Sequence, residues 1–184
     1  MMEDLAMQLL ELLMNSIQAG AHHIILKIRD SLKDNIIEME LSDDGKGMNE
    51  ELLKRVTDPF TTSRTTRKVG MGVAFMKGLT EECGGSFRIS STPNVGTRIY
   101  ASVQKDCIDT PPLGNLGEMM MECIQASDQI EYEMTYETDS SKFVFQSREI
   151  KEQLAGVSLL EPEILLWIKE YINENVEGKK EDVL

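Results

Sequence analysis

The sequence predicts an α/β two-layer sandwich: a mixed, mostly antiparallel sheet with three helices on one face, and a small C-terminal α/β extension. Three observations lead there. Leu5, Leu9, Leu12, Leu13 and Ile17 recur at helical spacing, giving an amphipathic helix over residues ~3–19. Short β-rich runs follow it, "HIILKIR" (23–29) and "IIEMELS" (36–42). Beyond Val103 the texture changes to a Pro-Pro segment, "DTPPLG" (109–114), and a strongly acidic remainder. At 184 residues, 41% hydrophobic and 28% charged, the chain has the composition of a globular protein with room for one domain and an appendage.

Each element follows from its local chemistry. "AGA" ends the first helix, and the polar turn "DSLKDN" joins the first two strands. Asn49 is placed to cap a short helix, "EELLKRV" (50–56). Residues 57–70, "TDPFTTSRTTRKVG", have no apolar period and read as a long loop. "MGVAFMKGLTEECG" (71–84) reads as a helix stopped by Gly84 or Gly85. "SFRIS" and "TRIYASV" are strands around the turn "STPNVG". A Met-rich helix, "EMMMECI", comes next, then the strands "QIEYEMTYE" (129–137) and "KFVFQS" (142–147) around "TDSS". Two helices, "REIKEQLA" and "EPEILLWIKEYINENV", close the chain. The expected organisation is residues 1–104, a linker 105–114 and an extension 115–184. Whether the 129–147 hairpin extends the main sheet or forms a separate unit is open at this level. Its Tyr132, Met134, Tyr136, Phe143 and Phe145 read as core, as does Trp167.

Charge and cysteines narrow the class. Net charge is −13, with 12 basic against 14 acidic residues up to 104 and 7 against 18 beyond. Such an acidic chain disfavours nucleic-acid binding; its tail reads as a solvated surface or as a docking face for a basic partner. No run approaches a membrane span, and the acidic start lacks signal-peptide features, so a cytoplasmic protein is expected. Cys83, Cys107 and Cys123 are odd in number and far apart in sequence, a spacing that suits neither a disulfide framework nor a metal site; reduced thiols are expected.

Four short stretches carry the chemistry. In "ELLMNSIQAGA" (11–21), Glu11 and Asn15 share one helix face beside a buried stripe. Unpaired buried polar groups cost about 1–3 kcal/mol each, so the pair is either a solvated edge or part of a site. In "DDGKGM" (43–48), Asp43 leaves a strand into Gly45-x-Gly47, which is a plain turn or a place where a flat ligand meets bare backbone. In "VGMGVAF" (69–75), Gly70 and Gly72 sit where a loop enters a helix, whose free N–H groups and dipole favour an anion. In "VGTRI" (95–99), Thr97 follows Gly96; alone this is only a turn.

The order Glu-x-x-x-Asn, Asp-x-Gly-x-Gly, Gly-x-Gly, Gly-Thr resembles the ATP-binding domain shared by gyrase, the heat-shock chaperone, histidine kinases and MutL, the GHKL superfamily with its Bergerat fold. The resemblance covers roughly residues 3–104. "NSIQAGA" looks like the MutL version, and "DPFTTSRTTRKVGMGVAFMK" like the histidine-kinase version. It implies that Asp43 takes the adenine amino group with Thr97 assisting, that Gly45 and Gly47 make room for the base, and that Met48 packs on it. It implies that Asn15 holds Mg2+ and that Gly70, Met71 and Gly72 offer the phosphates their helix entry. Thr61, Thr62, Arg64, Arg67 and Lys68 would lie on the ATP lid, and Glu11 would be a general base for water or a hydroxyl. Gln18 departs from relatives that carry an acidic residue there. His22 and His23 read as structural, so self-phosphorylation on His is not expected. The resemblance extends to small stand-alone ATP-binding proteins encoded beside iron-only hydrogenases, implying a hydrogenase-related protein partner. The expected function is Mg·ATP binding with slow hydrolysis or transfer to a protein Ser/Thr. The alternatives are a nucleotide-sensing binding module and a histidine-kinase-like half acting on a separate His-bearing protein.

Overall fold

A computed structural model describes residues 4–57 and 71–181 of the chain. The first element is helix α1 (Leu5–Gln18). Asp4 caps it, its carboxylate accepting Met7 N–H at 2.8 Å. Leu5, Leu9, Leu12 and Leu13 form the buried stripe that the spacing predicts. Strands β1 (His23–Ser31) and β2 (Ile36–Asp43) then pair antiparallel. Helix α2 (Glu50–Val56) starts at Asn49, whose side chain accepts Leu52 N–H at 2.9 Å. Helix α3 (Met71–Glu82) ends in a left-handed Gly84, φ +63°, and Gly85 N–H returns to Thr80 O at 2.8 Å.

Strands β3 (Phe87–Thr92) and β4 (Gly96–Gln104) complete the first part, and β4 lies antiparallel to both β3 and β2. The chain then crosses through helix α4 (Leu116–Ala126) to the hairpin β5 (Glu131–Thr138) and β6 (Lys142–Gln146). β5 pairs parallel with β1, so the hairpin extends the main sheet. The resulting order is β3-β4-β2-β1-β5-β6, a six-stranded mixed sheet that is mostly antiparallel. Helices α5 (Ser147–Gln153) and α6 (Pro162–Glu181) follow, with α6 packed on α4 and α4 on α1.

Alternation explains why the sheet is covered on one side. Ile24, Leu26 and Ile28 of β1, Ile37, Met39 and Leu41 of β2, and Tyr132, Met134 and Tyr136 of β5 are all buried. Apart from Ile25, the residues between them on the other face are polar: Arg29 bonds Glu38 at 2.7 Å, Arg98 bonds Glu40 at 2.8 Å, and Tyr100 Oη donates to Glu38 at 2.7 Å. A shallow depression of about 350 Å3 lies there, lined by Lys27, Glu40, Tyr100 and Lys142 among others.

The segment between β4 and α4 is tied down. Leu5 and Ala6 N–H groups, orphans of the first helical turn, donate to Pro112 and Leu113 carbonyls at 2.9 Å each. A second, half-buried tie closes the far end of β1. There Asp30 accepts Tyr136 Oη at 3.0 Å and pairs with Lys105. One expectation is corrected. Trp167 is not core: it is 45% exposed and stacks on Tyr171, centroids 5.1 Å apart. Its side of α6 faces solvent because Leu165, Ile168 and Ile172 take the buried positions. Cys83 and Cys107, far apart in sequence, come together where β4 ends beside α3. Among the described residues, no helix is long and apolar enough to cross a membrane.

Candidate functional site

Asp43 is the last residue of β2 and faces the helix side, in phase with Met39 and Leu41. Across the sheet it is opposite Thr97 of β4, and Thr97 is opposite Ser91 of β3. Three polar residues thus form one row at the strand ends. The Asp43 carboxylate accepts Gly45 N–H on Oδ1 at 2.9 Å and Ser16 Oγ–H on Oδ2 at 2.6 Å. Each oxygen keeps a second lone pair, so the half-buried carboxylate is oriented and still able to accept.

The hydroxyls of the row are equally constrained. Ser91 Oγ accepts Met48 N–H at 2.8 Å, lies 2.8 Å from Thr97 Oγ1, and reaches Gly96 O at 3.1 Å. A carbonyl only accepts, so the arrangement that satisfies all three has Ser91 donating to Gly96 O and Thr97 donating to Ser91. Thr97 then presents its lone pairs beside Asp43.

The glycine turn after Asp43 is clamped from both sides. Lys46 N–H donates to Ala19 O at 3.0 Å, and Lys46 O accepts Asn94 N–H at 2.7 Å. Gly47 has φ +63°, and a Cβ there would lie 2.0 Å from Thr92 O. A Cβ at Gly45 would meet Ala19 Cβ at 2.9 Å. Both glycines are therefore required by the chain's own close packing, a reason additional to room for a ligand. The neighbouring Asp44 anchors the same turn, accepting His22 and His23 N–H at 2.7 and 2.9 Å. Burial raises its pKa, but the backbone N–H groups of His23 and His22 outweigh this and hold it below the usual carboxylate range. The two histidine side chains themselves are exposed.

The other end of the site is built where α3 meets α1. A Cβ on Gly72 would stand 3.1 Å from Glu11 Cβ and 3.5 Å from Leu12 Cδ2, so the first turn of α3 rests on α1 at Glu11. Glu11 is exposed and Asn15 half-buried, about 6 Å further along the helix axis by its rise per residue. Among the described residues, neither the Glu11 carboxylate nor the Asn15 amide has a hydrogen-bond partner. Ser16, next to Asn15, is the residue that reaches Asp43. A single helix therefore connects the Asp43 row to the N-terminal end of α3.

Met48 is half-buried against the core, and Met71 is exposed at the start of α3. The expected lid residues Thr61, Thr62, Arg64, Arg67 and Lys68, together with Gly70, lie outside the described residues. Ser16 and Ser91 were not singled out by the sequence. Ser16 stands directly after Asn15, yet only the distance to Asp43 gives it a part; Ser91 becomes visible only through the register that sets it against Thr97.

Residues 3–106 match the family model of the histidine kinase-, DNA gyrase B- and HSP90-like ATPases, which is more than half of the chain. A protein of Shewanella frigidimarina (strain NCIMB 400), provisionally described as a sensor protein, is 33% identical over 110 residues, covering 55% of this chain and 17% of that protein. Sensor histidine kinase ZraS of Escherichia coli O157:H7 is 28% identical over 96 residues, covering 52% of this chain and 21% of that one. The chain spans about a fifth of the length of these relatives. Among solved structures, the Aquifex aeolicus MutL ATPase domain complexed with ADP superposes with TM-score 0.51 at 13% identity, covering 84% of this chain and 68% of that one, a likeness of fold. The family match spans all four motif stretches, and the chain belongs to the histidine kinase-, DNA gyrase B- and HSP90-like ATPase family.

Proposed function

We propose that this protein binds Mg·ATP along α1, with the base at the Asp43 row and the phosphates at the N-terminal end of α3. The observation that carries this reading is the Ser16–Asp43 hydrogen bond of 2.6 Å, on the same helix that offers Glu11 and Asn15 without other partners among the described residues. Asp43, held by Ser16 and Gly45, accepts the exocyclic amine, and Thr97 accepts a second donor beside it. The N-terminal end of α3 favours the phosphate charge through its free N–H groups and dipole. The Asn15 amide oxygen, with no competing bond among the described residues, suits a hard cation such as Mg2+, which would neutralise phosphate charge.

Glu11 then acts as general base, removing the proton of a water or of a protein serine or threonine hydroxyl that attacks the terminal phosphorus. Its exposed carboxylate beside the start of α3 supports that role. Regulation by phosphoryl transfer, with a hydrogenase-related protein as the partner, is the biological setting this reading takes from the resemblance. A second reading, a nucleotide-sensing module that grips a partner, is favoured by the stacked, exposed Trp167 and exposed Leu166 on acidic α6.

Phosphate release from Mg·ATP by the purified chain, beside Glu11→Ala and Asp43→Asn, tests the proposal. Glu11→Ala should keep nucleotide affinity and lose release by about 10²-fold or more. Asp43→Asn should lose binding itself. Binding without release in the wild type moves the reading to the sensing module, and binding that survives Asp43→Asn removes the assigned base site.

A further inference from the structure

The chain brings two thiols together by a run of backbone hydrogen bonds. At the end of α3, Cys83 N–H donates to Leu79 O at 2.9 Å, and Cys83 O accepts Gln104 N–H, the last residue of β4, at 3.0 Å. The chain then turns back: Cys107 N–H donates to Gln104 O at 3.4 Å, and Thr110 N–H donates to Cys107 O at 3.1 Å. This folds the segment after β4 over the end of α3. Cys107 Sγ lies 4.0 Å from Glu82 O, the carbonyl immediately before Cys83. The Cys107 thiol is thus seated against the backbone that leads into Cys83, and Thr110 Oγ1, donating to Gln104 O at 2.6 Å, holds the returning segment in place.

The two sulfurs differ in reach and character. Cys83 is 1% exposed, while Cys107 is partly open to solvent. Burial, then the neighbouring Cys107, pushes the Cys83 thiol up. The Cys83 thiol, then the Asp109 N–H, holds the Cys107 thiol below its ordinary value. An accessible sulfur with stabilised thiolate beside a second, sheltered sulfur is the division between an attacking and a resolving cysteine.

We propose that Cys83 and Cys107 are a dithiol site that reacts with small-molecule disulfides and closes into an intramolecular disulfide. The Cys107 thiolate attacks one sulfur of the reagent, forming a mixed disulfide and releasing one thiolate of the reagent. Cys83, giving its proton to solvent, then attacks Cys107 Sγ and expels the second thiolate. Two protein thiols are oxidised, and the reagent disulfide is reduced to two thiols. The new bond ties the C-terminal end of α3 to the segment following β4. The opposite end of that helix carries Gly72 against Glu11.

The test uses oxidised glutathione on the native full chain, followed by denaturing alkylation, intact mass and peptide mapping. The wild type should lose two hydrogens and yield a peptide pair linked through Cys83 and Cys107. Cys123, fully buried with its thiol pushed up to about 12, should stay alkylatable as the internal control. Cys83→Ala should stop at one glutathione on Cys107. Cys107→Ser should slow the reaction of Cys83 by about tenfold or more. Circular dichroism checks that Cys83→Ala folds; if it does not, the wild type and the half-exposed Cys107→Ser still decide. Persistent glutathione on wild-type Cys107 with Cys83 alkylatable would overturn the proposal. So would reaction of Cys83 and Cys123 at equal rates, or no reaction of the wild type.

Discussion

Ser16 Oγ donates to Asp43 Oδ2 at 2.6 Å, joining the last turn of α1 to the end of β2. The bond is charge-assisted and its donor is buried, so it orients the carboxylate rather than merely touching it.

Ser16→Ala removes that orientation without opening a large cavity. Affinity for a non-hydrolysable ATP analogue should fall about fivefold to twentyfold, about 1–2 kcal/mol and so part of the worth of one hydrogen bond to a charged group, read by calorimetry. Circular dichroism should be unchanged. An unaltered affinity would mean that Asp43 needs no help from α1.

Two glycines separate conformational need from mere smallness. Gly47→Ala places a Cβ 2.0 Å from Thr92 O at φ +63°, and should cost about 2–4 kcal/mol in chemical denaturation. Gly78 lies inside α3, and a methyl added there would meet nothing within 4 Å, so Gly78→Ala should stabilise by about 0.5–1 kcal/mol. Equal effects at the two positions would contradict the clamped turn.

The Asp44 carboxylate is held below its ordinary pKa once the His23 and His22 N–H groups outweigh burial. A depressed folded-state pKa gives stability that is complete above the unfolded value near 4 and is lost as pH falls through the folded value. At about pH 6, Asp44→Asn should be less stable by about 1 kcal/mol, a figure already reduced for solvent screening. The difference should shrink toward zero as pH falls from about 4 through the depressed folded-state value. A gap independent of pH in denaturation midpoints would assign the effect to shape rather than charge.

Order along the chain was enough for much of this. Leu5, Leu9, Leu12 and Leu13 mark the buried side of α1 because a 3.6-residue period admits one core-facing stripe. Asn49 and Gly84 mark helix ends because capping and left-handed backbone are local requirements. The spacing of Glu11, Asn15, Asp43 and Thr97 pointed to the family for the same reason: each motif lies within a single turn or strand end. What lay outside that reach depends on partners distant in sequence. The parallel pairing of β5 with β1 follows from the shared burial of Tyr132, Met134 and Tyr136 under α4 and α6, which no hairpin signal encodes. Ser91 enters the site through a strand register, Ser16 through a helix laid across a strand end, and Cys107 meets Cys83 because a turn after β4 folds onto α3. Trp167 moved the other way, to the surface, because other residues of α6 filled the core first. Local periodicity settles which elements form and which face of each is apolar; packing those faces together decides which polar residues meet.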